Sequence, residues 1–290
     1  MSEPLPFTGE RFTPECVREI WYEHWHRYAF VRDLARGRRV LDAACGEGYG
    51  SALLAATARE VTGVDIDAAS VAHARARYAA ITNLRYECSD ATALPFADRA
   101  FDLVVSFETL EHLAAQDQLL AELARVLADD GVLVISTPDR HAYSDVAGFR
   151  NEFHVRELYR DQFLALLAPH FGAVRLYGQK LLFQSALWSL DAAPSTVAAV
   201  TMGADGAARD GLTQAPLYFV AVCARRTLPE GLPGLSLFGD EQESVYAHYN
   251  HEVRKNMSAG TRIAELEAEV ERLRGAAQSA TGRRRWWRGR

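Results

Sequence analysis

One turn constrains this chain more than any other feature. The run RRVLDAAC has the apolar density of a buried strand, YGSALLAATA reads as a helix, and between them Gly46, Gly48 and Gly50 stand at alternate positions. Glycines there let the backbone approach a ligand closely and present helix N-terminal amides to it. The segments EVTGVDID, LRYECSD, FDLVVSF and GVLVISTP follow as further strands. They are separated by a helix candidate, ASVAHARARYAA, and by a long helical segment near Glu111–Leu127. Strands alternating with helices of this length imply a doubly wound α/β fold, a mostly parallel sheet with helices on both faces.

The residues around the turn narrow the nucleotide it can hold. The third position of GxGxxG is Ser51, so the dinucleotide pattern is imperfect, and no Lys-Ser/Thr pair makes it a P-loop. Asp42, just before the loop, would repel a pyrophosphate and attract a cationic ligand. S-adenosylmethionine carries an ammonium and a sulfonium, so charge favours it over NAD. Asp65 closes the second strand, where a carboxylate can accept two ribose hydroxyls. Asp67 suits a helix cap, and Asp90 ends the third strand, where an adenine edge would lie. The competing reading makes these aspartates turn and cap residues.

VLDAACGEGYGS, VTGVDID, LPFADRAFDLVVSFETLEHL and GVLVISTP resemble, in order and spacing, the successive motifs of class I S-adenosylmethionine-dependent methyltransferases over residues 37–138. The segments FTGERFTPE, EHWHRYAF and NEFHVREL resemble those of methyltransferases from bacterial surface-polysaccharide, O-antigen, gene clusters. The resemblance implies a Rossmann-like seven-stranded sheet with an antiparallel last strand. It assigns Asp42, Gly46 and Gly48 to the methionine end of the cofactor, Asp65 to the ribose, and Asp90 with Ala91 to the adenine. Ala44 and Ile66, beside these motif residues, complete the cofactor set, and Phe107–Glu108 would flank the sulfonium. The implied activity is O-methylation of a sugar or sugar phosphate in surface-glycan assembly. A small aromatic or quinone-type acceptor and a non-catalytic scaffold are the alternatives.

Methyl transfer to a hydroxyl needs an aligned acceptor and a destination for its proton. On a helix, Glu108, Glu111 and His112 would share one face at i, i+3 and i+4. Three readings of this trio stand side by side: His112 as general base, a divalent-cation site like the ExxEH segment of ubiquinone-pathway O-methyltransferases, or capping with a satisfied histidine. No metal is expected. His154, in the loop after GVLVISTP, is the second candidate base. Arg156 suits an anionic acceptor group. His24, His26, Arg27 and Tyr28 belong to an N-terminal lid, in a helix candidate from Trp21 to Leu34.

The expected organisation is a lid over 1–36, a methyltransferase domain over 37–226, and a linker over 227–260. A short coiled-coil-like helix over 261–274 and a basic aromatic tail over 275–290 follow. A helix from about Arg156 to Leu167 precedes GAVRLYGQK, residues 191–214 read as a variable loop, and APLYFVAVCARR is the last strand. Ile263, Leu266, Val270 and Leu273 fit heptad a and d positions, and RRRWWRGR sets five arginines around two tryptophans. Self-association, a glycosyltransferase partner or peripheral contact with the inner membrane are the roles this tail suits.

Composition closes off other classes. Net charge is −6, which argues against a nucleic-acid partner. The four cysteines form no CxxC pair, so neither a disulfide framework nor structural zinc is expected. The opening MSEPLPFTGERFTPE lacks a signal-peptide core, and no stretch of about 18 apolar residues exists to cross a bilayer. A cytoplasmic location is expected.

Overall fold

A computed structural model describes residues 19–187 and 197–287, with side chains through residue 275. FTGERFTPE, Cys16 and the side chains of RRRWWRGR lie outside the described residues. The elements are α1 (Glu19–Val31), β1 (Arg39–Ala43), α2 (Tyr49–Ala55), β2 (Glu60–Asp65), α3 (Ala68–Arg77), β3 (Leu84–Cys88) and β4 (Phe101–Ser106). They continue as α4 (Gln116–Val126), β5 (Leu127–Pro138), α5 (Arg160–Leu167), β6 (Ala173–Gln179), β7 (Val200–Met202), β8 (Ala208–Asp210), β9 (Tyr218–Ala224) and α6 (Ser244–Trp287).

Seven strands form one sheet in the order β3-β2-β1-β4-β5-β9-β6. The first five pair in parallel, and β9 runs antiparallel to both β5 and β6. The strand order reverses between β1 and β4, which opens a crevice at their carboxyl ends. Both glycine turn and Phe107–Glu108 emerge there, because Asp42 is in register with Val105. The sheet is apolar on both faces. Leu119, Leu120 and Leu123 of α4 and Phe163 and Leu167 of α5 pack on one. Tyr28 and Val31 of α1 with Tyr49 and Leu54 of α2 pack on the other. Strands covered twice carry continuous Val and Leu runs, which is the pattern that marked them in the sequence.

Four expectations need correction. The long helix near Glu111–Leu127 is two pieces, a 3-10 turn at Leu110–His112 and α4 from Gln116. The Glu111 carbonyl accepts from the amides of Val155 (2.8 Å) and Arg156 (3.0 Å), so it does not continue a helical ladder. The helix expected from Arg156 begins at Arg160, because Leu158 bridges to Asp139 at the end of β5. Within the segment read as a variable loop, β7 and β8 pair as a hairpin.

The fourth correction concerns the chain beyond Arg226. The compact sheet unit runs to Phe238, not to residue 226. Leu228 and Leu232 pack against the core, and Phe238 stacks on His26 with centroids 5.6 Å apart. The second unit is Gly239–Arg290, and its helix starts at Ser244 rather than Thr261. Asp240 accepts from the Ser244 amide at 3.0 Å and so satisfies an N-terminal donor. No helix among the described residues is long and apolar enough to cross a membrane.

Candidate functional site

At the carboxyl ends of β1 and β2 the backbone is bent as a close ligand approach requires. Ala44, Gly46 and Gly48 all have positive φ, at 61°, 56° and 87°. An alanine in that region costs about 1 kcal/mol, which the surrounding turn must hold in place. A Cβ on Gly48 would sit 2.5 Å from the Tyr86 ring, so only glycine fits. Asp65 ties the turn to β2: its two oxygens accept from the amides of Gly46 (2.8 Å) and Asp67 (2.9 Å). Each carboxylate oxygen has capacity for a further hydrogen bond, which is what a ribose diol needs. Ile66, beside it, is 71% exposed and presents a flat aliphatic surface.

Asp42 stands near the end of β1, before the turn. It is fully buried, and accepts from Ser51 Oγ (2.6 Å) and Tyr28 Oη (3.1 Å). Burial pushes its carboxyl up to about 7, against the opposing effect of those two donors. Its strand register turns it towards α1 and α2, whose Tyr28 and Ser51 engage its carboxylate. Asp90 is exposed, and one of its oxygens accepts from both Thr92 N and Thr92 Oγ1 at 2.8 Å. It builds a turn at the end of β3, and Ala91 packs against the core beside it.

The N-terminal helix is part of this site. Arg27, 2% exposed, donates from Nε to Gln179 Oε1 at 2.8 Å, and its Nη2 lies 3.4 Å from Glu108 Oε1. Its guanidinium carbon stands 4.5 Å from the Tyr218 ring centroid. Phe107 packs edge-on against Tyr28 at 5.0 Å. Glu108 has a φ of +50° and is held by Ser136, which accepts from the Glu108 amide (3.1 Å) and donates to its carboxylate (2.6 Å). His26 reaches Ser236 Oγ at 2.9 Å and His24 reaches Tyr49 Oη at 3.4 Å, so these two serve packing.

On the acceptor side the expected i, i+3, i+4 face of Glu108, Glu111 and His112 does not form, since Glu108 precedes a 3-10 turn. The fold gathers Glu111, His112 and His154 instead, with one ligand-capable atom of each within 4.8 Å of the others. This set could hold a divalent cation in principle, but its atoms are already engaged. His112 Nδ1 donates to the Phe153 carbonyl at 3.0 Å, which makes Nε2 its basic nitrogen. His154 Nδ1 donates to Glu157 at 2.6 Å, and its Nε2 accepts from Asn151 Nδ2 at 3.0 Å. Asn151 is oriented by the Phe153 amide, which donates to its Oδ1. Glu111 is 1% exposed, and burial, then the charge of Glu108, push its carboxyl well above the ordinary range. His112 Nε2 lies 3.9 Å from Glu111 Oε1, inside the cluster. Arg156 contributes its backbone to this cluster, its carbonyl accepting from Gln116 Nε2 at 2.8 Å.

A family model described as a methyltransferase domain matches residues 41–135, from β1 into β5. Those residues form a methyltransferase domain. A Mycolicibacterium smegmatis protein assigned as an S-adenosylmethionine-dependent methyltransferase is 42% identical over 58% of this chain and 65% of its own length. A Mycobacterium tuberculosis protein of the same designation is 40% identical over 56% of this chain and 60% of its own. The chain therefore spans less than two-thirds of these relatives. The YcgJ protein of Bacillus subtilis superimposes with a TM-score of 0.52 at 20% identity, covering 70% of this chain and all of that one, and shares the fold. The cofactor of the methyltransferase domain is S-adenosylmethionine. The residues present fit it: positive-φ turn residues, a carboxylate at the end of β2 and an exposed aliphatic side chain beside it stand at neighbouring strand ends.

Several residues of the site escaped the sequence reading. Ser136 and Thr137, which hold Glu108 and Glu111, are polar residues inside an otherwise apolar strand, and that was a usable signal. Tyr218, Asn151 and Glu157 carry no local mark of their roles.

Proposed function

We propose that the chain transfers a methyl group from S-adenosylmethionine to a hydroxyl of a small-molecule acceptor, a sugar or sugar phosphate of surface-glycan assembly being the first class to examine. The observation that supports this best is a basic histidine nitrogen beside the cofactor crevice: His112, fixed by its Nδ1–H bond to Phe153. S-adenosylmethionine would supply an electrophilic methyl on a cationic sulfur, and His112 Nε2 would take the proton of the acceptor hydroxyl. Glu108, held by Ser136 and Arg27, orients the acceptor; His154 and Tyr143, whose rings stack at 5.3 Å, brace His112 from the side. Asp65 and Ile66 hold the nucleoside end.

A quinone-type or other apolar acceptor is the second reading, favoured by the apolar residues of a cavity of about 680 Å³ beside α1. A screen with methyl-labelled cofactor against nucleotide sugars, lipid-linked glycans and quinone precursors tests both. Label in the glycan fraction supports the first reading, and label confined to quinone precursors supports the second. No transfer to any class, with the cofactor bound, returns the scaffold alternative. For the C-terminal helix we propose association with a second copy of itself, since Ile263, Leu266, Val270 and Leu273 are all exposed along one seam.

A further inference from the structure

The helix α6 carries two apolar stripes. Tyr246, Tyr249, Val253 and Met257 are exposed on its first half, and Ile263, Leu266, Val270 and Leu273, 44–56% exposed, on its second. At about 100° per residue, the second stripe is turned roughly 130° from the first. One straight partner therefore cannot cover both, and the second stripe must be matched by itself.

The second stripe extends over heptad a positions Asn256, Ile263 and Val270 and d positions Ala259, Leu266 and Leu273. Glu252, at the next d position upstream, ends the run. β-branched residues at a with Leu at d favour two parallel strands, and one Asn at a fixes register and strand number at a cost in stability. The flanking charges agree with this. Arg262 and Glu269 stand at g, and Glu267 and Arg274 at e. In a parallel, in-register pair, each g residue faces the e residue five positions on in the other helix. Arg262 then meets Glu267 of the second copy and Glu269 meets its Arg274, each contact made twice and all attractive. Arg262, Glu269 and Arg274 are also paired along their own helix, with Glu265 (2.9 Å), Arg272 and Glu271 (2.8 Å), which holds them on the flanks of the seam.

We propose that the second half of α6 pairs with a second copy of this chain as a parallel, in-register, two-stranded coiled coil, with Asn256 setting the register. The inference rests on the self-association reading of this helix and not on methyl transfer. An antiparallel pair that sets Ile263 against Leu273 would also match charges, because g then faces g and e faces e. It would, however, hold the two Asn256 side chains apart. In the parallel pair they meet, and each amide offers the other a donor and an acceptor.

The test uses the full chain with its exposed thiol removed by Cys88→Ser, followed by sedimentation equilibrium and thiol oxidation. This parent should sediment as a dimer. Leu273→Cys should cross-link to itself on oxidation, above the level of the parent, since the two copies of that position are adjacent. Arg262→Glu and Glu267→Arg should each dimerise about fivefold or more less tightly than the parent, because each sets like charges against one another on both flanks. An equimolar mixture of these two variants should dimerise within about threefold of the parent, because only the mixed parallel pair restores both Arg–Glu contacts. The antiparallel pair gains nothing from mixing, since each variant then faces residue 269 or 274, which is unchanged. If Leu273→Cys no longer associates, the mixing experiment decides. A mixture no tighter than its components, or cross-linking of Ile263→Cys with Leu273→Cys but of neither alone, overturns the parallel register and leaves self-association standing. A trimer or larger assembly overturns the two-stranded pairing. A parent chain that stays monomeric removes the self-association reading and this proposal with it.

Discussion

Replacing Asp65 by alanine separates the ribose role proposed for this carboxylate from its structural one. In the protein its oxygens accept from Gly46 N and Asp67 N, at 2.8 and 2.9 Å, so the change removes two backbone partners as well as the ribose acceptor. The turn lies at the surface of the crevice, where water can reach the freed amides. The stability cost should therefore be about 1–3 kcal/mol, a fall in Tm of roughly 2–10 °C for a domain of this size. Hydrogen bonds from two ribose hydroxyls to a charged group should contribute about 1.5–3 kcal/mol to cofactor affinity. That is a roughly 10- to 150-fold rise in Kd. Calorimetry with the demethylated cofactor gives the second quantity, and a thermal melt of the cofactor-free protein gives the first. A folded Asp65→Ala variant whose Kd stays within threefold of wild type would refute the ribose assignment and leave Asp65 as a turn residue only.

Three other outcomes follow from the geometry. Asp42 titrates near 7 in the folded protein and near 3.8 when exposed, so the folded state holds its proton through that window. The group then contributes stability below pH 4 that is lost as pH rises towards 7, on the order of 4 kcal/mol for a shift of this size; Asp42→Asn should flatten this part of the Tm–pH profile, and an unchanged slope would contradict it. Methyl transfer should survive EDTA, because His154 uses both ring nitrogens on Glu157 and Asn151, whereas His112→Ala should lower kcat by about 100-fold or more; loss with EDTA and recovery with magnesium would assign Glu111, His112 and His154 to a metal. A chain ending at Phe238 should bind the cofactor as the full chain does and self-associate less, while one ending at Arg226 should lose stability because Leu228, Leu232 and Phe238 go with it; equal behaviour of the two truncations would restore the shorter boundary.

The sheet was legible because its strands are buried on both faces and written as unbroken Val and Leu runs, with glycine and aspartate marking their carboxyl ends. Gly46, Gly48 and Asp65 were legible as turn residues for the same reason: each answers a backbone demand local to its own turn. The burial of Asp42 against Tyr28 and Ser51 was not legible, because strand register and the docking of α1 decide what surrounds that side chain. The cluster at Glu111 was harder. Whether Glu108 shares its face depends on amides of Val155 and Arg156 capturing the Glu111 carbonyl, a contact made by a loop more than forty residues away. The boundary at Phe238 was hidden because PEGLPG carries a linker composition, while the apolar residues after it dock on α1. Local composition reports the turn there, and only tertiary packing reports the docking.

The turn between β1 and α2, with Asp65, is proposed to take S-adenosylmethionine and not a dinucleotide. Titrating the purified full chain with S-adenosylhomocysteine and, separately, with NAD tests it directly. S-adenosylhomocysteine should give a one-site isotherm with a Kd in the micromolar range, and NAD no measurable heat. Tight binding of NAD with no binding of S-adenosylhomocysteine would contradict it.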